Sequence, residues 1–263
     1  MSASLLFACA ADLLPAQGRG RGRAEEINNR VGAFFTDTKG PAPEGDKAGD
    51  LAKADMVRAA AGVGQLSVLY LVNGSDDADV RDTFERTVLG GDEIGIMLRC
   101  FHCGRVDLKD EPALAAKFGK QAPLFVAFDK DGKAGDIVAM AGYKAQPKAL
   151  ETVLVKAAQG TIKPSLTAFA KDYGGLVRDL EQVLNKKKLA KERLAKAGAD
   201  KEKRADCEKD LAGAEKDEQK LVEQESTMLG RIGLPDRPEG ARRLGGRNWG
   251  GGGQGGGGGQ GGG

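Results

Sequence analysis

Four residues near the middle of the chain, Cys100-Phe101-His102-Cys103, bring two thiols together with the one histidine in 263 residues. Two cysteines three apart could form a redox disulfide, and with the histidine between them they could ligate zinc. They stand, however, in or at the start of a run that reads as a strand. There, residues three apart point to opposite faces and their Cα atoms lie roughly 10 Å apart, beyond the ~7 Å a disulfide tolerates. Only a Cys100 belonging to the preceding turn would let the pair close. Zinc would find three possible ligands in four residues but no second pair nearby, because Cys9 and Cys207 fall in other segments. For c-type haem the histidine would have to follow the second cysteine. The plainest reading makes Cys103 a small buried hydrophobe, with a thiol-disulfide oxidoreductase or redox sensor using Cys100 and Cys103 as the alternative. No metal or other cofactor is expected.

A second candidate is Asn73-Gly74-Ser75-Asp76-Asp77-Ala78-Asp79, where clustered carboxylates could hold a metal or a substrate. Acids in the first turn of a helix usually complement its dipole and its free N–H groups instead. Ser75 or Asp76 reads as the N-cap of a helix carrying Val80, Phe84 and Val88 at helical spacing.

The elements that position these residues follow from pattern. Leu66 to Val72 is an apolar, β-branched run and reads as a buried strand. Leu51 to Ala61 and Asp92 to Leu98 read as helices, Phe101 to Leu108 as a strand, and Pro112 to Gly119 as a helix with Pro in its first turn and Gly at its end. Strands Leu124 to Phe128 and Ile137 to Ala141 flank the turn Asp129-Lys130-Asp131-Gly132-Lys133, and a helix covers Pro147 to Ala158. The compact part therefore spans residues 50–160.

Leu114-Ala115-x-x-Phe118-Gly119-x-x-Ala122-Pro123, the Phe101 to Leu108 run ending in Val106-Asp107-Leu108, and Asp129-x-Asp131-Gly132-Lys133 followed by Gly142-Tyr143 resemble, in order and spacing, the thioredoxin-like family. The resemblance implies an α/β fold with a central mixed sheet flanked by helices, and a Pro123 that is cis to Ala122 at the edge of a substrate groove. It implies a Cys-x-x-Cys pair after the first central strand, yet Asp77 and Val80 stand at those places within about one residue. The chain thus looks like a redox-inactive member. Backbone pairing of an extended partner beside Ala122 and Pro123 needs no particular side chain, so Asn73, Gly74, Asp77, Ala122 and Pro123 form the candidate partner-binding site.

From Lys171 to Gly230 apolar residues recur at alternating steps of three and four, through Leu176, Leu180, Val183, Ala190 and Leu194, and again through Cys207, Leu211, Ala214, Leu221 and Met228. This is coiled-coil spacing. Gly198 separates the two runs, Lys186 to Arg204 is mostly basic, and Asp206 to Glu225 is mostly acidic. A fold-back near Gly198 sets part of one against part of the other, giving an antiparallel hairpin over residues 161–230.

Residues 1–49 read as irregular, with a short helix over Glu25 to Phe35. They include a signal-like start at 1–17, with Leu5-Leu6-Phe7-Ala8 interrupted by Asp12 and preceded by no cation, so the compartment stays open between cytoplasm and export. Residues 231–263 read as disordered for their Gly content. Forty Lys and Arg against 38 Asp and Glu leave a net charge of +2, too little for bulk attraction to nucleic acid or lipid. The Gly-Arg repeat at 18–23 and Arg242, Arg243 and Arg247 suggest nucleic-acid association only as a further alternative. No apolar run approaches the ~20 residues of a membrane span, and no small-molecule substrate is evident. The expected function is non-catalytic binding or scaffolding through protein contacts or self-association of the helical segment, aided by the proline-side groove.

Overall fold

A computed structural model describes residues 23–45 and 47–245. In chain order it runs α1 (Glu25–Val31), β1 (Ala33–Asp37), α2 (Ala48–Leu51), α3 (Asp55–Gly62), β2 (Leu66–Val72), α4 (Ala78–Leu89), α5 (Asp92–Leu98) and β3 (Phe101–Asp107). It continues α6 (Pro112–Phe118), β4 (Leu124–Phe128), β5 (Ala134–Ala139), α7 (Pro147–Ala157), α8 (Leu166–Lys196), α9 (Lys201–Ile232) and β6 (Arg242–Leu244).

The strands form one mixed sheet in the order β5-β4-β2-β3-β1-β6. β2 lies parallel to β3 and antiparallel to β4; β3 is parallel to β1, and β5 and β6 run antiparallel to their neighbours. The seven residues of β2 are all buried, Ser67 among them, as a largely apolar run requires of a strand covered on both faces. Alternate side chains serve opposite layers: Val68, Tyr70 and Val72 pack with α1, α4, α5, α7 and α8, and Leu69 and Leu71 pack with α2, α3 and α6.

α8 and α9 form a long antiparallel hairpin. Gly198 takes φ +55° at the turn, a backbone conformation that glycine adopts without a Cβ penalty, and the Asp200 carboxylate accepts from Lys203 N at 3.1 Å to cap α9. The apolar steps of three and four meet along the seam: Leu176, Leu180, Val183, Ala190 and Ala214 are buried and Leu194, Cys207, Leu211, Leu221 and Met228 half-buried. Lys187 joins Glu218 at 2.6 Å, a meeting of the basic and acidic runs. Among the described residues no helix is long and apolar enough to cross a membrane.

Several boundaries differ from expectation. The short helix expected over Glu25 to Phe35 is α1 and ends at Val31, where β1 takes over; β1 and β6, in stretches read as irregular or disordered, pair with each other, Ala33 opposite Leu244. Neither strand carries a period long enough to be seen locally; β1 pairs with β3 nearly 70 residues on and with β6 more than 200 residues on. The helix expected over Leu51 to Ala61 breaks into α2 and α3, α8 begins five residues before Lys171, and the strand expected at Ile137 to Ala141 is shifted to Ala134–Ala139. The signal-like start, the repeat at 18–22 and the tail from 246 lie outside the described residues.

Candidate functional site

The last register pairs of β2 bring the candidate loops to one end of the sheet. Leu71 lies opposite Leu124 and Val72 opposite Asp107, so Asn73 and Gly74 leave β2 beside the segment in which Ala122 and Pro123 lead into β4. The Ala122–Pro123 bond is cis. Pro123 is buried and Ala122 half-buried. The Pro123 carbonyl accepts from Met140 N at 2.8 Å, and Ala122 N donates to the Phe118 carbonyl at 3.1 Å. A partner pairing here would therefore meet an Ala122 N–H already engaged, with the carbonyl as the group left to receive it.

Gly74 N donates to Asp107 Oδ1 at 2.8 Å, and a Cβ built on Gly74 would stand 2.0 Å from Asp107 Oδ2. Only glycine lets the backbone come this close. Asn73 Nδ2 donates to Asp76 Oδ1 at 2.8 Å, and the Tyr143 hydroxyl donates to Asp76 Oδ2 at 2.6 Å. Tyr143 has φ +61°, the one positive value at a non-glycine among the described residues, and its ring meets Phe84 edge-on at 5.4 Å. Burial first, then its bond to Asp76, raises the Tyr143 hydroxyl above the ordinary tyrosine pKa.

The helix cap is Asp77, not Ser75 or Asp76: its Oδ1 accepts from Asp79 N at 2.8 Å and Val80 N at 3.1 Å. Asp76 is instead drawn away by Asn73 and Tyr143. Val80, expected on the buried face of α4, is 48% exposed, while Phe84 and Val88 are buried. The Asp76 and Asp77 carboxylates at this helix end thus serve neighbouring side chains and the backbone, and no group of three metal-ligating side chains occurs among the described residues.

Cys100 occupies the turn before β3, its N–H bonded to Met97 O at 3.0 Å, and Cys103 lies on β3. Both thiols are free and buried. Cys103 donates weakly to Leu98 O at 3.4 Å. Burial pushes Cys100 up to about 12 and Cys103 above the ordinary thiol range. His102 sits next in the strand, half-exposed, contacting Gln65, with its pKa lowered by burial. Alternation along β3 directs it to the other face from Cys103.

A second polar cluster lies where the hairpin meets the body. Arg30 Nε donates to Glu225 Oε1 and Oε2 at 3.0 and 2.9 Å, and Tyr173 OH donates to the same Oε1 at 2.5 Å. Arg99 donates to the Arg30 carbonyl at 2.7 Å and to the Tyr173 hydroxyl, its guanidinium carbon 5.0 Å from the centroid of that ring. The sequence reading missed this cluster. Its signal was Glu225 itself, an acid at a seam position between Leu221 and Met228. Beyond it the chain crosses back over α1: Arg237 stacks on Phe34 at 3.4 Å and donates to Asn29 O at 3.2 Å, and Arg242 reaches Asp37 at 3.0 Å. Among known proteins, no family model, curated sequence or solved structure matches this chain.

Proposed function

We propose that this is a non-catalytic, thioredoxin-like binding protein that acts through protein contacts of its helical hairpin, with the loops around Asn73, Gly74, Asp77, Ala122 and Pro123 as a secondary contact surface. The order of β1 to β5, two parallel neighbours at one side and two antiparallel ones at the other, supports the family reading, with β6 as an added edge. Asp77 caps α4 where the family carries a thiolate, and Val80 follows where it carries the resolving thiol.

One observation carries the functional reading. The hairpin is fixed to the body at its base by the buried Arg30–Glu225–Tyr173 cluster, whereas past Lys187 and Glu218 each helix packs chiefly on the other. About nine residues of α8 beyond Lys187 make an arm of roughly 14 Å at 1.5 Å per residue. A rigidly held arm presents a preorganised surface, which lowers the ordering cost of association.

Photo-crosslinkers placed singly at Lys196 and Lys201 in the full chain, with Asp136 on β5 as the control position, test this. A defined protein captured from both tip positions and absent from the control supports the reading. Capture confined to Asp136, or equal at all three, refutes it.

A further inference from the structure

The hairpin leaves two large apolar side chains exposed, Leu189 at 51% and Val222 at 42%, and they stand in stretches of opposite charge. Leu189 is one residue from the seam residue Ala190, hence about 100° round α8 and turned away from α9. Lys186, Arg193 and Lys196 surround it at i−3, i+4 and i+7, all exposed. Nine cations and three acids fall between residues 186 and 204. Lys187 finds Glu218 and the tip cations Lys203 and Arg204 find acids within their own turn of α9, while Lys186, Arg193 and Lys196 have no ion-pair partner among the described residues.

Val222 lines an open groove of about 430 Å³ between α9 and α1, together with Leu229, Glu26, Asn29, Arg30 and Ser226. Glu26 on α1 is an exposed acid of the groove wall, and Glu215, exposed one heptad before Val222 on α9, stands with it near Lys187. Arg30 is already held by Glu225, so the groove offers a bare apolar surface with acidic neighbours. An exposed leucine ringed by cations on α8 complements an apolar groove flanked by acids between α9 and α1.

We infer that the partner of the hairpin is a second copy of this chain, with Leu189 of one copy seated against Val222 and Leu229 of the next and its cations facing Glu26 and Glu215. The knob and the groove are different patches, so the contact is head-to-tail, and a dimer keeps an unused groove on one copy and an unused knob on the other. A nucleic acid would leave Leu189 without an apolar partner, and the arm has no aromatic on which a base could stack, since none occurs between Tyr173 and Trp249.

The inference rests on the hairpin being a contact element. Sedimentation velocity on the full chain at concentrations up to about 0.5 mM, within reach of small interfaces, tests it. Wild type associates with rising concentration and less so in high salt. Leu189→Glu and Val222→Lys each raise the dissociation constant at least about tenfold, and both positions are exposed in the monomer, so neither change opens a core cavity. Equimolar mixing of the two variants restores dimers and nothing larger, because one keeps its groove and the other its knob. A wild type that stays monomeric throughout, association that both substitutions leave unchanged, or a mixture as monomeric as its components overturns the self-association. A tip that captures a different protein in the crosslinking experiment, from a monomeric wild type, removes this inference and leaves the hairpin reading standing; a tip that captures nothing removes both.

Discussion

Arg30 Nε reaches both carboxylate oxygens of Glu225, at 3.0 and 2.9 Å, across 195 positions of sequence. The pair joins α1 to α9 beside the core, where Ile27 and Val31 of α1 are buried and Leu221 and Met228 of α9 pack against it. Glu225 is 8% exposed and also receives the Tyr173 hydroxyl. Removal of one partner strands the other charge against a largely desolvated wall. Arg30→Ala should destabilise the fold by roughly 2–4 kcal/mol, toward the lower end for a buried pair because Arg30 keeps some access to water. Calorimetry should show a melting temperature lower by about 2–4 °C per kcal/mol in a chain of this size, and an unchanged value would mean that the pair does not fix the hairpin.

Gly74→Ala should cost about 1–3 kcal/mol, since the new methyl would fall on the Asp107 carboxylate and break the Gly74 N–H bond to it. Asp107→Gly in the same chain removes the obstacle. Chemical denaturation of the two single variants and the double should give a double variant less destabilised than the sum; strict additivity would mean that the contact is not the cause.

Disulfide reduction should be absent. Catalysis by an exposed thiolate needs a lowered pKa, and burial raises both Cys100 and Cys103. In native protein at pH 8, mass mapping after alkylation should find Cys207 modified and Cys100 and Cys103 protected until denaturant is added. Turnover of a model protein disulfide that is abolished by Cys100→Ser or Cys103→Ser would promote the oxidoreductase reading.

The same shifts set an alkaline limit on stability. A thiol ionises in the unfolded chain near pH 8.5, while folded Cys100 holds its proton up to about 12. The folded state thus binds more protons in this window, and stability, fully present below about pH 8.5, falls as the pH climbs toward 12. Tyr173 and Tyr70, both raised chiefly by burial, extend the loss above the ordinary tyrosine range. Denaturation midpoints between pH 8 and 11 should fall less steeply for Cys100→Ala than for wild type. Parallel profiles would exclude Cys100 as the source.

Truncation after Gly245 should leave the melting temperature unchanged, whereas truncation after Asp236 should lower it by several degrees. The second cut takes Arg237 from the Phe34 ring, Arg242 from Asp37 and Leu244 from the core, and leaves β1 as an open edge. Two identical melting curves would show that β6 adds nothing to the sheet.

By itself the sequence determined the elements whose signals are local. The largely apolar, β-branched Leu66 to Val72 run read as a buried strand, the steps of three and four with Gly198 between opposite charge runs favoured two antiparallel helices over one rod, and the neighbourhood of Cys103 marked it as buried. Tertiary structure alone decided what depends on residues far apart in the chain. β1 and β6 are too short to show a period; β1 is held between β3 and β6, and β6 by pairing Leu244 with Ala33. Asp76 lost the cap to Asp77 because Tyr143, 67 positions away, claimed its carboxylate. Glu225 became a fastening point because the fold brought Arg30 and Tyr173 to it. A hydrogen bond of this kind fixes its partners by position in space, and spacing along the chain carries no record of it.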